Sequence, residues 1–157
     1  MQWALPNVDV YHTERWGKNE GFKYQLSIPK DGTYTLILKF SEIYFQEPGQ
    51  KIFDVKLGNK AIATDIDILA ALGSRGLPYD IFVDLKVEGG KVYANGVECS
   101  GAFKNNKLQI DFAVGRADNP KVNAILLVQG GKENTHYNSY RRYLKALEDL
   151  KDQQRKQ

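Results

Sequence analysis

Between Phe22 and Gln129 turn signals cut the chain into short segments in which apolar and polar residues alternate. A side-chain period of two is the period of a β-strand, and few folds accommodate many such segments in succession. In "TYTLILKF" (33–40) Tyr34, Leu36, Leu38 and Phe40 share one face, and in "YDIFVDLKV" (79–87) Ile81, Val83, Leu85 and Val87 do the same. "KLQIDFAV" (107–114) aligns Leu108, Ile110 and Phe112, while "FKYQLSI" (22–28), "KIFDVKL" (51–57) and the nearly continuous apolar run "KVNAILLVQ" (121–129) complete the set. The intervening "PKDG", "GNK" and "EGGK" are turn sequences, "GNK" of the hairpin kind. This pattern predicts an all-β fold, an antiparallel two-sheet sandwich or jelly roll. A chain of 157 residues is long enough to bury one substantial core.

The pattern changes at the end. Residues 135–157 contain no Gly or Pro. Tyr140, Leu144 and Leu147 fall at helical spacing, and so do Tyr143, Leu147 and Leu150. The spacing predicts a C-terminal α-helix that begins between Thr135 and Tyr140, docks through one of those rows, and projects as the polar "KDQQRKQ". The expected organisation is a β-sandwich over 1–131 and a helical extension over 132–157. Two heptads are too few to read as a coiled coil. The helix also carries the charge imbalance: 7 of the 22 Lys and Arg against 4 of the 19 Asp and Glu lie in 132–157, so the rest of the chain is neutral. Without a clustered basic face, nucleic acid is not an expected partner.

"SEIYFQEPGQ" (41–50) interrupts the alternation. The apolar positions of 34–40 are even, whereas Ile43 and Phe45 are odd, with Glu42 between them. This shift of parity predicts a bulge or a strand end at Ser41–Glu42. Tyr44 and Phe45 then sit on the rim of the sandwich, where strand-end loops carry ligand contacts. From these residues alone two roles fit the pair: contact with a ligand, or capping of the core.

No catalytic constellation is visible. Asp65 and Asp67 in "TDIDI" fall on one face of a possible strand, but two carboxylates are too few for a divalent-ion site and fit a solvated or loop-bonding pair. His12 and His136 have no ligand-like spacing, so zinc is not expected. Cys99 is the only cysteine, which precludes an internal disulfide, and no motif around it would activate a thiolate. Ser74 in "LGSRG" is not a nucleophile elbow. Glu14, Glu42, Glu47, Asp54 and Asp118 are formal candidates for a glycosidase pair, which sequence cannot place at the required separation. The chain is therefore read as non-enzymatic and without a cofactor. It shows no secretory leader and no apolar run of membrane-spanning length, which sets the expectation of a cytosolic chain without a membrane partner.

"YHTERW" (11–16), "GTYTLILKFSEIYF" (32–45), "GQKIFDVKLGNK" (49–60), "DIDI" (65–68) and "GRADNPKVNAILL" (115–127) resemble, in order, the signature segments of the malectin domain. The resemblance implies a malectin-like sandwich that binds short glucose oligosaccharides without hydrolysing them, between aromatic rings and a carboxylate at strand-end loops. Carried over by motif, the carbohydrate-binding residues are Trp16 (where the family has Tyr), Tyr44, Phe45 and Asp118. The family has a further stretch before this match, with a first strand and another binding tyrosine. The resemblance implies that this chain lacks both, leaving either an open sheet edge or a gap for another segment. It also implies the absence of the family's signal sequence and membrane anchor. Malectin-like domains also occur joined to coiled coils in kinesin-like cytoskeletal proteins. The resulting expectation is a cytosolic module that recognises a protein partner, or oligomerises, through the helix and the open edge in a kinesin-like assembly. The alternative is a functional binder of glucose oligosaccharides.

Overall fold

The computed structural model describes residues 11, 14–17 and 20–157. The strands follow the alternation. In chain order they are β1 (Arg15–Trp16), β2 (Phe22–Ser27), β3 (Gly32–Phe40), β4 (Ile52–Leu57) and β5 (Lys60–Ile66). A short helix α1 (Ile68–Leu72) comes next, and then β6 (Tyr79–Glu88), β7 (Lys91–Ala94), β8 (Val97–Glu98), β9 (Phe103–Lys104) and β10 (Lys107–Ala117). The chain continues with β11 (Lys121–Val122), β12 (Ala124–Gln129), a 3-10 turn at Lys132–Asn134 and the long helix α2 (Tyr137–Arg155).

Two five-stranded antiparallel sheets face each other, one in the order β2-β10-β4-β5 with β9 on β10, the other in the order β12-β3-β6-β7-β8. A separate two-stranded pair, β1 with β11, joins Arg15 to Val122 and Trp16 to Lys121. Leu36, Leu38 and Phe40 of β3 stand opposite Val83, Ile81 and Tyr79 of β6, and their common face packs on Phe53, Val55 and Leu57 of β4 and on Leu108, Ile110 and Phe112 of β10. The predicted sandwich is the observed one, with the C-terminal helix in the expected place. The hairpin at "GNK" requires its glycine: Gly58 has φ +55°, and a Cβ there would lie 2.1 Å from the Ser100 carbonyl oxygen.

Three local readings change. The apolar run 121–129 is not one strand, because Asn123 breaks it into β11 and β12 and turns its side chain to accept the Ser41 N–H at 2.9 Å. Asp65 and Asp67 do not share a strand face. Asp65 has φ +51° and pairs with Arg116 at 3.1 Å, while Asp67 caps α1 at the Ala70 N–H and accepts the Gly49 N–H. Neither row of the helix docks as a unit, because Tyr140 and Tyr143 are buried and Leu147 packs beside them, whereas Leu144 is 37% and Leu150 55% exposed. The docking stripe runs between the two expected rows. The expected absence of the family's first strand and binding tyrosine concerns residues 1–10, which, like His12, lie outside the described residues.

Helix α2 lies on the outer face of the β3–β6 sheet, where Thr35, Ile37 and Lys39 stand opposite Asp84, Phe82 and Asp80. The Phe82 ring meets Tyr137 and Tyr140 with centroids 5.1 and 5.6 Å apart. Beside this ring cluster the Lys39 ammonium and the Asp80 carboxylate bond at 2.8 Å with 0% side-chain exposure on either partner. Tyr11 donates to Asp80 at 2.5 Å, and Lys39 donates to the Tyr11 hydroxyl at 2.8 Å. The His136 ring nitrogen lies 2.7 Å from Asp80, and the Tyr140 hydroxyl accepts the Asp80 N–H at 2.8 Å. The site is closed to water and every charge in it has a partner.

Removing one member of such a pair leaves the other charged and enclosed. Asp80→Ala or Lys39→Met alone is expected to cost about 3–5 kcal/mol, and the Lys39→Met/Asp80→Leu double variant less than the sum, as read by urea denaturation. Burial pushes the Tyr140 and Tyr143 phenols well above their ordinary value of 10.0. The folded chain therefore keeps these protons after the unfolded chain has lost them, so their contribution is complete below about pH 10 and declines as the pH rises above it. Tyr140→Phe should lower stability at neutral pH by about 1–3 kcal/mol, because the Asp80 N–H loses its acceptor. The same substitution should flatten the loss between about pH 10 and 12, as followed by circular dichroism.

Candidate functional site

Strand β3 stops at Phe40 because Glu42 turns inward rather than continuing the ladder. Its carboxylate, nearly buried, accepts the N–H groups of both Tyr44 (2.8 Å) and Phe45 (3.1 Å). Two backbone donors on one side-chain oxygen fix a tight turn and present both rings at the end of the sandwich. Tyr44 and Phe45 meet edge to face with centroids 5.0 Å apart. Tyr44 is 76% exposed, so its ring does not cap the core, while Phe45 is half-buried.

An open cavity of about 370 Å³ lies against these rings. Trp16 on β1, which is 55% exposed, and Asp118 in the turn between β10 and β11 also line it. The four positions taken from the sequence thus come from three separate segments and meet in one place. Asp118 holds a left-handed backbone, φ +54°, which an aspartate tolerates better than most residues and which aims the turn at the opening. Lys51 stabilises that turn by donating to the Asp118 carboxylate at 2.5 Å and to the Asn119 carbonyl at 2.7 Å. The same ammonium lies 5.5 Å from the centre of the Phe45 ring, so one buried cation joins the acidic turn to the aromatic one.

Glu14 lines the cavity as well. Its carboxylate bonds the ammonium of Lys121, a fully buried residue that also donates to the Ser41 carbonyl. This lysine ties the Trp16 segment to the end of β3, just before the turn that carries Tyr44. Sequence reasoning missed the site roles of Lys51, Lys121, Glu14 and Asn119. Lys51 did leave a trace: it has the same odd parity as Phe53, Val55 and Leu57, and a lysine on a core-facing register needs a buried anion. Lys121 left no such signal.

The arrangement offers flat apolar faces, carboxylate acceptors held in place by lysines, and an opening to solvent. Each carboxylate is already engaged by an ammonium. Among the described residues no group of three or more His, Cys, Asp or Glu could hold a metal ion, and Cys99 is buried with its thiol pushed up by burial. No helix of the described residues is long and apolar enough to cross a membrane.

The malectin domain family profile matches residues 2–125. Human malectin is 36% identical over 121 residues, 77% of this chain and 40% of that protein, so this chain spans well under half of its relative's length. The ANX2 ectodomain from Arabidopsis thaliana superposes with a TM-score of 0.64 at 18% identity, covering 78% of this chain and 34% of that one. A structure of the plant peptide RALF23 in complex with FER and LLG2 matches with a TM-score of 0.58 at 19% identity over 82% of this chain and 36% of that one. These two likenesses concern the fold. The profile match over most of the chain and the identity to human malectin place it in a family: this chain belongs to the malectin domain family.

Proposed function

We propose that the chain is a non-enzymatic recognition module whose cavity binds a short glucose oligosaccharide. The observation that carries this reading is the convergence of Trp16, Tyr44, Phe45 and the ion-paired Asp118 on one open cavity. A pyranose has two faces of C–H groups and a rim of hydroxyls. Rings take the faces, and a fixed carboxylate accepts from adjacent hydroxyls. The cavity has the volume for a disaccharide-sized ligand. Each stacking contact adds about 0.5–1.5 kcal/mol beyond area burial, which sets binding at roughly the micromolar to millimolar level.

A second reading keeps the fold and changes the ligand to a protein, in a cytosolic, kinesin-like assembly. Its support is the flank of α2, where Leu144 and Leu150 remain exposed beside the docking stripe. The match to the structure of the peptide RALF23 with FER and LLG2 gives a fold-level parallel for protein recognition. None of the relatives reported above is named as kinesin-like. The sugar reading stands on more residues.

A chemical-shift titration of the purified chain with maltose and nigerose tests it. Resonances of Trp16, Tyr44, Phe45 and Asp118 should move together at millimolar sugar. Tyr44→Ala and Asp118→Ala should each weaken binding by about tenfold or more; Tyr44→Ala should leave the melting temperature within a few degrees, whereas Asp118→Ala should also lower it, because Lys51 loses its counter-ion. Shifts absent from all four positions would end the sugar reading and favour the protein one.

A further inference from the structure

We propose that Glu14 is a second hydroxyl-accepting carboxylate of this cavity, and that the pairs Glu14–Lys121 and Asp118–Lys51 select uncharged sugars over sugars that carry a carboxylate. The proposal rests on the sugar reading above and narrows the class of ligand.

The order of charges from solvent inward is the same in both pairs. The Glu14 side chain is 21% exposed and the Lys121 side chain behind it 0%, while the Asp118 side chain is 34% exposed and the Lys51 side chain 9%. Each pair is neutral as a whole, so the fold does not bear an isolated buried charge. A ligand entering the opening nevertheless meets carboxylate oxygens first. Both lysines are also committed to the protein's own acceptors. Lys121 bonds the Ser41 carbonyl behind the cavity wall, and Lys51, which shares the wall with Asp118, is engaged by the Asp118 carboxylate and by the Asn119 carbonyl at 2.7 Å.

A sugar hydroxyl donates to such an oxygen in a charge-assisted bond. A ligand carboxylate has no proton to donate and would be held against two like charges whose counter-ions are already bonded to the protein. Like charges at close range in a partly enclosed site repel more strongly than in bulk water. Glu14 and Asp118 come from different segments, just before β1 and just before β11, and line the same cavity.

The test compares maltose with a disaccharide of the same linkage ending in glucuronic acid. Binding is measured by calorimetry at low salt and at about 0.5 M salt, where the Debye length falls to a few ångströms, on the wild type, Glu14→Gln and Glu14→Asp. The wild type should bind maltose at least about tenfold more tightly than the acidic sugar at low salt, and the ratio should shrink at high salt. Glu14→Gln keeps an acceptor oxygen and removes the charge. It should weaken maltose by about tenfold and narrow the ratio to about threefold or less. Glu14→Asp keeps a counter-charge for Lys121 on a shorter arm. It should stay folded and lose maltose affinity, which covers the case in which Glu14→Gln does not fold. A wild-type ratio near one, or unchanged maltose affinity in a folded Glu14→Asp, overturns the proposal. A wild type that binds neither sugar overturns it together with the sugar reading. Binding without discrimination overturns this inference alone and leaves the Tyr44 and Asp118 result standing.

Discussion

Lys39 and Asp80 face each other across adjacent strands with both side chains out of contact with water, and the helix is assembled around that pair. Two ions in a dry site cost more to desolvate than a loose contact returns, so such a pair persists only where further donors and acceptors complete it. Here Tyr11, His136 and Tyr140 supply them, and each comes from outside the two strands. The consequence is positional. His136 and Tyr140 are at the start of α2, so satisfying Asp80 fixes where the helix begins and which way its first turns face. The rings of Phe82, Tyr137, Tyr140 and Tyr143 then fill the space beside it.

The same device recurs at the end of the sandwich, with a different result. Lys121 is enclosed as Lys39 is and Lys51 nearly so at the cavity wall, but their carboxylate partners reach the opening. A closed pair specifies packing. A pair with one member at the surface specifies the position of an acceptor while leaving it accessible, which is what a site for hydroxyl-rich ligands requires. Glu42 does the equivalent for the rings, since its burial is repaid by two backbone N–H donors and the aromatic turn is set by that geometry.

The core strands were legible because alternation reports which residues face inward, and β2, β3, β4, β6 and β10 follow it closely. The strand end at Ser41–Glu42 was legible for the same reason, as a break in parity. The outer face of β3 was not. Alternation puts Thr35, Ile37 and Lys39 on the face away from the core residues, yet all are buried, and the start of the helix, more than ninety residues further along, reaches Lys39 through His136. A local period cannot announce a distant cover. The helix face was misjudged in a related way. Each expected row held a tyrosine that docks, Tyr140 or Tyr143, together with Leu147, and a leucine that stays exposed, Leu144 or Leu150, because the tyrosines fill space and Tyr140 completes a polar site as well. The ring positions and Asp118 were reachable through the family's motifs. The lysines that hold the site are visible only once the fold has brought residue 121 to residues 14 and 41, and residue 51 to residue 118.

Strand β3 connects the two charge clusters. Its outer face carries Lys39 to the helix side, its last residues lead into Ser41 and Glu42, and Asn123 bonds both stretches through its N–H to the Lys39 carbonyl and its side chain to the Ser41 N–H. The Ser41 carbonyl in turn accepts from Lys121, whose other partner is Glu14 in the cavity wall. A displacement of β3 at Lys39 would therefore be felt at Ser41 through hydrogen bonds rather than through a flexible loop. Close-packed, fully bonded elements shift as units and not by gradual deformation. The helix and the cavity are thus two loads on one strand, connected by the hydrogen bonds that run from Lys39 through Asn123 and Ser41 to Lys121 and Glu14.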